Sequence, residues 1–217
     1  FRSDALIRHQ GYTLAYEESA EQAQWVAYSL TADMLVERAK RKNTFRADPA
    51  VPTGSAKPSD YTRSGFDMGH LKPAADAAFA QAAMDETFFM SNMSPQVPAF
   101  NRGIWKRLEE QVRAWVRPNQ PLYVVTGPIL TDPRKTIGAN KVVVPTAYYK
   151  VLFDYTGSTV KGLGFILANE KSSQPLQTFA CPIDRVEAMT HVDFFPQLPD
   201  QVEAALEATA DWTAWTT

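Results

Sequence analysis

His70 directly follows Gly69 in the stretch "SGFDMGHLKPAAD", with Asp67 three residues before it, and it is one of only three histidines, the others being His9 and His191. Imidazole changes protonation near pH 7, so a histidine presented on a loop or turn is a candidate general base. A second group follows in "FNRGIWKRLEEQVRAWVR", where Ile104, Trp105, Leu108, Val112, Trp115 and Val116 recur at helical spacing over Asn101 to Val116. On that wheel Arg102, Lys106, Glu109, Arg113 and Arg117 lie along one flank of the apolar stripe, and Asn101 stands at the helix start over the apolar side. Glu109 and Arg113 are four apart, close enough to touch. An amide and a carboxylate at a core edge need partners. A hydrated divalent cation is one solution, an N-cap at Asn101 with an ordinary ion pair at Glu109 the other.

The elements around these residues alternate without the regular βαβ rhythm of a parallel sheet. "GYTLAYEES" and "QWVAYSLT" read as two strands joined by a charged turn. "TADMLVERAKRK" reads as helix or loop, and the Pro- and Gly-rich "ADPAVPTGSAKPSDYTRSGFD" excludes a long regular element. "MDETFFMSN" predicts a short buried strand ending at Asn92. "PLYVVTGPIL", "KVVVPTAYYKVLFDY" and "KGLGFILAN" are strand-like, "QTFACPIDRVEAMT" begins as a strand, and "DQVEAALEATADW" closes the chain as an amphipathic helix. This order predicts an α+β fold over a single domain, residues 1–217.

Bulk composition narrows the function classes. A hydrophobic share of 45% is ample for a folded core. No apolar run approaches the length of a membrane-spanning helix. The opening "FRSDALIRHQ" carries charge where a signal peptide would not, and says nothing about compartment because a leader is removable. The lone Cys181 excludes an internal disulfide and a multi-cysteine zinc site, and its apolar neighbours predict a buried structural thiol. A net charge of −2 argues against coating nucleic acid nonspecifically but leaves room for a local basic groove, for which "ERAKRKNTFRAD" and the helix from Asn101 supply cations. His9 and His191 read as structural or surface residues, Asp193 as a turn or cap, and Tyr148, Tyr149 and the tryptophans as sheet packing.

"FDMGHLKPAAD" followed by "FFMSNMSPQVPAFNRGIWKRLEEQVR" resembles the DNA/RNA non-specific endonucleases, the ββα-metal (His-Me finger) family that includes endonuclease G and secreted bacterial nucleases. "QAQWVAYSLT", "FRADP", "VTGPIL", "VPTAYYKV" and "FILANE" are similar to the family in order and spacing, over about residues 9 to 200. The resemblance implies a central, mainly antiparallel sheet flanked by helices. It implies His70 as the general base and Asn101 as the direct ligand of one Mg²⁺, with Mn²⁺ as a substitute. Glu109 then acts on the metal through water, Arg113 supports the site or the phosphate, Asn92 orients the site, and Asp67 anchors the loop. The motif departs from the family's usual D-R-G-H at Met68, which stands where arginine is usual. Arg46, Arg63 and Arg102, with Arg41 beside them in the basic cluster, are the candidates to contact substrate phosphate instead. Partners implied are DNA and RNA, with a homodimer and a protein inhibitor as further possibilities and no membrane. The implied location is secreted or periplasmic in a bacterium, with the mitochondrion as the alternative.

The chemistry is coherent with those residue types. Phosphodiester hydrolysis needs an activated water, charge relief at phosphorus and help for the leaving oxygen, which a neutral imidazole and one oxygen-ligated cation can supply. Two other readings use the same residues: a nuclease-like module that binds nucleic acid after Met68 has weakened catalysis, and a phosphodiesterase acting on a small nucleotide in a closed pocket. Gly69 is expected to lend the backbone freedom that presents His70.

Overall fold

A computed structural model describes residues 6–130, 135–156 and 159–216. Its elements follow in the order β1 (Leu6–Arg8), β2 (Thr13–Glu17), β3 (Gln22–Leu30), α1 (Pro58–Tyr61), β4 (Asp67–His70), α2 (Gln81–Glu86), β5 (Met93–Gln96), α3 (Lys106–Ala114), β6 (Leu122–Ile129), β7 (Thr136–Ile137), β8 (Val142–Val143), β9 (Ala147–Thr156), β10 (Thr159–Ala168), β11 (Ala180–Cys181), α4 (Ile183–Thr190) and α5 (Asp200–Glu207). Seven strands form one sheet in the order β1-β2-β3-β6-β9-β10-β11, every neighbouring pair antiparallel. The fold is α+β, as expected.

Strand β9 explains how the sheet is covered on both sides. Its residues point alternately to opposite faces, and "AYYKVLF" is apolar on both except at Lys150. Tyr148 and Leu152 join Trp105, Leu108 and Val112 on the face covered by α3. Tyr149, Val151 and Phe153 join Ile183, Val186 and Leu206 on the face covered by α4 and α5. Cys181 lies in this second cluster, 3% exposed, and burial pushes its thiol up to about 11, consistent with a structural role.

The functional residues sit on a separate small unit, β4–β5–α3, laid on the α3 side. β4 and β5 pair antiparallel, with His70 opposite Met93. Two expectations are corrected here. The buried strand predicted to end at Asn92 begins at Met93, because Met90–Asn92 is a 3₁₀ turn and the strand forms only where β4 offers ladder partners. The helix predicted from Asn101 to Val116 is regular only from Lys106. Phe100–Trp105 is a widened π-type turn broken at Gly103 (φ −110°, ψ −108°), so a wheel at 100° per residue does not hold across it.

Gly69 has a negative φ, so freedom of rotation is not its use. A methyl group there would overlap the fully buried Gln96 side chain across the β4–β5 pair. Glycine lets the two strands approach, which fixes the position of the next residue, His70.

Candidate active site

A cleft of about 710 Å³ opens beside β4 and α3, and His70, Asn101, Glu109 and Arg113 all line it. The sequence placed these four together. The cleft also carries the cations Arg41, Arg102 and Lys106 and the carboxylate of Asp67.

His70 ends β4 with its ring edge-on to Phe88 (5.0 Å between centroids) and 5.8 Å from Phe45. Its Nε2 is buried without a hydrogen-bond partner. Burial, and then the Arg41 guanidinium, lowers its pKa to about 3, so the imidazole is neutral at physiological pH. A stability consequence follows. The unfolded chain takes up a proton on His70 as pH falls through 6.5, whereas the folded chain does so only near 3. Stability is therefore lost as pH falls between those values and is unaffected above them, at about 1.4 kcal/mol per pH unit inside the window. Urea midpoints measured from neutral pH to pH 4 are expected to fall more steeply for the native sequence than for His70→Gln.

Asp67 organises the start of the helical segment. Its Oδ2 accepts hydrogen bonds from Asn101 Nδ2 (2.9 Å) and Arg102 Nε (2.8 Å), and its Oδ1 accepts one from Arg102 Nη2 (2.7 Å). The Asn101 amide is thus held by its nitrogen, and its Oδ1 is left for a ligand. The same contacts commit Arg102, whose planar fork is taken up bidentately by Asp67 with its side chain 72% exposed.

Glu109 is half-buried and, among the described residues, takes no hydrogen bond or ion pair. The expected pairing with Arg113 does not form. Arg113 Nη1 donates instead to Asp76 Oδ1 at 3.0 Å, and Asp76 Oδ2 accepts from the buried Tyr28 hydroxyl at 2.9 Å. Burial raises the Glu109 carboxyl above the usual range, with the Lys150 ammonium pulling against it. Lys150 lies in the middle of β9, 1% exposed, with Nζ unpartnered and 4.8 Å from the Trp105 ring centroid. Burial lowers its own pKa, opposed by Glu109. Sequence reading missed Lys150 and Asp76. The signal for Lys150 was a lysine inside an otherwise apolar central strand, where a charge requires an opposite charge nearby.

Three further expectations change. Asn92 is fully buried and does not reach the cleft; its Oδ1 accepts from Lys72 N, and its Nδ2 donates to Lys72 O and Thr87 O. It therefore shapes the chain just after His70 and touches no reacting group. Arg46 is turned away from the cleft, its Nη1 donating to Thr44 O (3.2 Å) and Asp85 O (2.9 Å) while its guanidinium stacks 4.1 Å from Phe89. Arg63 is exposed at a left-handed backbone position (φ 57°) and lies outside the cleft. Arg41 and Lys106 line it instead. Met68 also lines it, packed against the apolar cluster of Tyr61, Met90 and Met93.

The other histidines are structural. His9 Nε2 pairs with buried Asp48 at 2.9 Å, and Asp48 also accepts from the Ser91 hydroxyl. His191 ends α4 in the left-handed region (φ 54°).

A model of the DNA/RNA non-specific endonuclease family matches residues 1–201. Nuclease C1 of Cunninghamella echinulata var. echinulata is similar to this chain at 37% identity over 211 residues, covering 88% of this chain and 83% of that protein. The mitochondrial endonuclease G of Homo sapiens is 35% identical over 209 residues, covering 89% and 70%. A nuclease of Nostoc sp. is 33% identical over 220 residues, covering 95% and 78%. Among solved structures, a chain of the EndoG/EndoGI complex superposes with a TM-score of 0.83 at 32% identity, covering 90% of this chain and 87% of that one. Among the described residues no helix is long and apolar enough to cross a membrane.

Proposed function

The chain belongs to the DNA/RNA non-specific endonuclease family, and on that premise we propose that its cleft hydrolyses phosphodiester bonds with His70 as general base and Asn101 as the direct ligand of one Mg²⁺. It is an endonuclease of a metal-dependent family. The observation that carries the site assignment is the Asp67 clamp: it ties down Asn101 Nδ2 and leaves Oδ1 for a ligand in the cleft that Glu109 and His70 also line.

Those donors fit the cation. One amide oxygen and one carboxylate, both hard and few in number, suit Mg²⁺, which keeps most of its own waters; Mn²⁺ accepts the same set. Asn101 would hold it directly and Glu109 through water. When bound, the cation supplies charge relief at phosphorus and at the leaving oxygen. His70 accepts the proton of the attacking water, for which its neutral imidazole is available. Arg41 and Lys106 attract and place the phosphate backbone. Arg113, held by Asp76, supports the cleft floor beside Glu109. Contacts made to backbone phosphate carry no base identity, which gives weak sequence preference across DNA and RNA.

Asp67 acts through Asn101. Its replacement by alanine is expected to raise the metal concentration needed for half-maximal cleavage by about 10- to 100-fold, the usual cost of losing the group that orients a ligand. A metal titration of initial cleavage rates measures this, and saturating metal should restore most of the rate.

The proposal extends to one domain over residues 1–217, to secretion or the periplasm as the place of action with the mitochondrion as the alternative, and to a protein inhibitor and a homodimer as partners. The inhibitor is suggested by the EndoG/EndoGI neighbour. Supercoiled plasmid and single-stranded RNA, each incubated with Mg²⁺ or with EDTA, test the function directly. Cleavage of both, abolished by EDTA, is expected; binding to both without cleavage in Mg²⁺ or Mn²⁺ would leave only the binding-module reading.

A further inference from the structure

We propose that α4 and α5 together hold a second, structural divalent-cation site for Ca²⁺, formed by Asp184, Glu187 and Glu207 on the face of the sheet opposite the catalytic cleft. The carboxylate oxygens of these three residues lie within 4.8 Å of one another. Asp184 and Glu187 stand three apart on α4, and Glu203 and Glu207 four apart on α5. Each spacing brings like charges together on one helix face, which is destabilising without a counter-charge.

The second observation is burial without partners. Glu207 is 5% exposed, and its Oε1 is shut away from solvent with no hydrogen bond. Glu203 Oε1, one turn earlier, is in the same condition. Glu187 uses one oxygen to accept the Phe194 N–H at 2.6 Å, leaving the other. The charged groups acting on Glu207 from both helices and from the loop after α4 are Glu187, Glu203, Asp184 and Asp193, all acidic. Among the described residues no lysine or arginine forms an ion pair with any of them. A buried carboxylate needs a hydrogen-bond donor or a cation, and here the protein offers neither.

The fold brings these acids together for an apolar reason. A side chain at Gly162 of β10 would collide with Ile183 and crowd Leu206, so glycine lets α4 and α5 settle side by side on the sheet. Glu207 follows Leu206 and is carried inward with it. A cation between the helices would turn the resulting repulsion into a clip that holds α5 in place.

The donor chemistry selects the ion. All donors are carboxylate oxygens, which suit hard cations and exclude soft ones. Oxygens on opposite sides of Ca²⁺ lie about 5 Å apart, whereas those around Mg²⁺ are about 4.1 Å apart in a rigid octahedron. Three carboxylates drawn from two helices, with Asp184 exposed at the mouth, make an irregular, highly charged set. It suits the larger and more flexible Ca²⁺ better than Mg²⁺, which demands a near-ideal octahedron and keeps most of its waters.

The test uses the full chain carrying Asn101→Ala and Glu109→Gln, which removes the donors of the cleft, titrated with CaCl₂ by calorimetry and by thermal unfolding. One Ca²⁺ per chain and a rise in the unfolding midpoint are expected. Adding Glu207→Gln should abolish both, and adding Asp184→Asn, an exposed change with little effect on folding, should weaken both. No bound Ca²⁺ in the parent would overturn the proposal. So would Ca²⁺ binding that survives Glu207→Gln, or a midpoint that rises with Glu207→Gln in EDTA while Ca²⁺ leaves the parent unchanged. The last pattern would mean that the carboxyl group is merely protonated.

Discussion

His70→Ala is expected to lower cleavage of both plasmid and RNA by about 10²–10⁴-fold, the range supplied by a positioned general base. The reason lies in how the ring is held. Strand pairing fixes the backbone of His70 against Met93, the tight approach of Gly69 to Gln96 sets the strand position, and Phe45 and Phe88 confine the ring. Burial keeps the ring neutral, so nearly every molecule carries a competent base at neutral pH. Alanine also leaves a space between the two phenylalanines and is expected to cost about 1–3 kcal/mol of stability. Thermal unfolding and metal titration of the variant separate the two effects. A folded, metal-responsive protein that no longer cleaves is the expected result. Cleavage retained within a few-fold would mean that water is activated elsewhere, with Lys150 and Glu109 the groups to examine next.

The residues that carry local chemistry were legible in the sequence because their signals are local. His70 beside Gly69, and Asn101, Glu109 and Arg113 on one helical segment, reach the same cleft. The strands β9 and β10 were legible from their apolar runs, whereas the antiparallel sheet was implied only by the family resemblance. What failed depended on contacts distant in sequence. Arg46 resembles a phosphate-binding arginine by its neighbours, yet its Nη1 is taken by the Thr44 and Asp85 carbonyls and its guanidinium lies over Phe89, outside the cleft. Arg113 faces Glu109 on an ideal wheel, yet Asp76, which arrives from the segment after β4, takes its guanidinium. Asn92 was read as a site residue, and the amide instead braces the backbone at Lys72 and Thr87. Lys150 was hidden because a strand pattern reports only which face a residue points to, and the carboxyl that acts on it electrostatically, Glu109, is on α3. The kink at Gly103 was invisible to a periodicity that assumes one uninterrupted helix.

Asn101→Ala should be the most damaging change in the cleft after His70. Charge relief by the cation is worth several kcal/mol of transition-state stabilisation, so losing its direct ligand is expected to lower the rate by about 10²–10⁴-fold at a fixed, moderate metal concentration. The structure separates this effect from that of Glu109. Asn101 offers a neutral oxygen whose direction is set by Asp67, so alanine removes that amide oxygen while leaving Asp67 paired to Arg102. Glu109 offers a half-buried carboxyl near Lys150 that burial holds toward its neutral form and that a bound cation would ionise, and Glu109→Gln removes that response while keeping the shape. Raising Mg²⁺ should therefore recover part of the rate in Glu109→Gln, where the direct ligand is intact, and recover little in Asn101→Ala. Cleavage rates followed across a Mg²⁺ titration, with binding of a labelled DNA measured in parallel in EDTA, distinguish the cases. DNA binding should persist in both variants, since Arg41 and Lys106 are untouched. If Asn101→Ala cleaves normally at low Mg²⁺, the cation is held by other groups, and the Asp67 clamp serves the helix start rather than the metal.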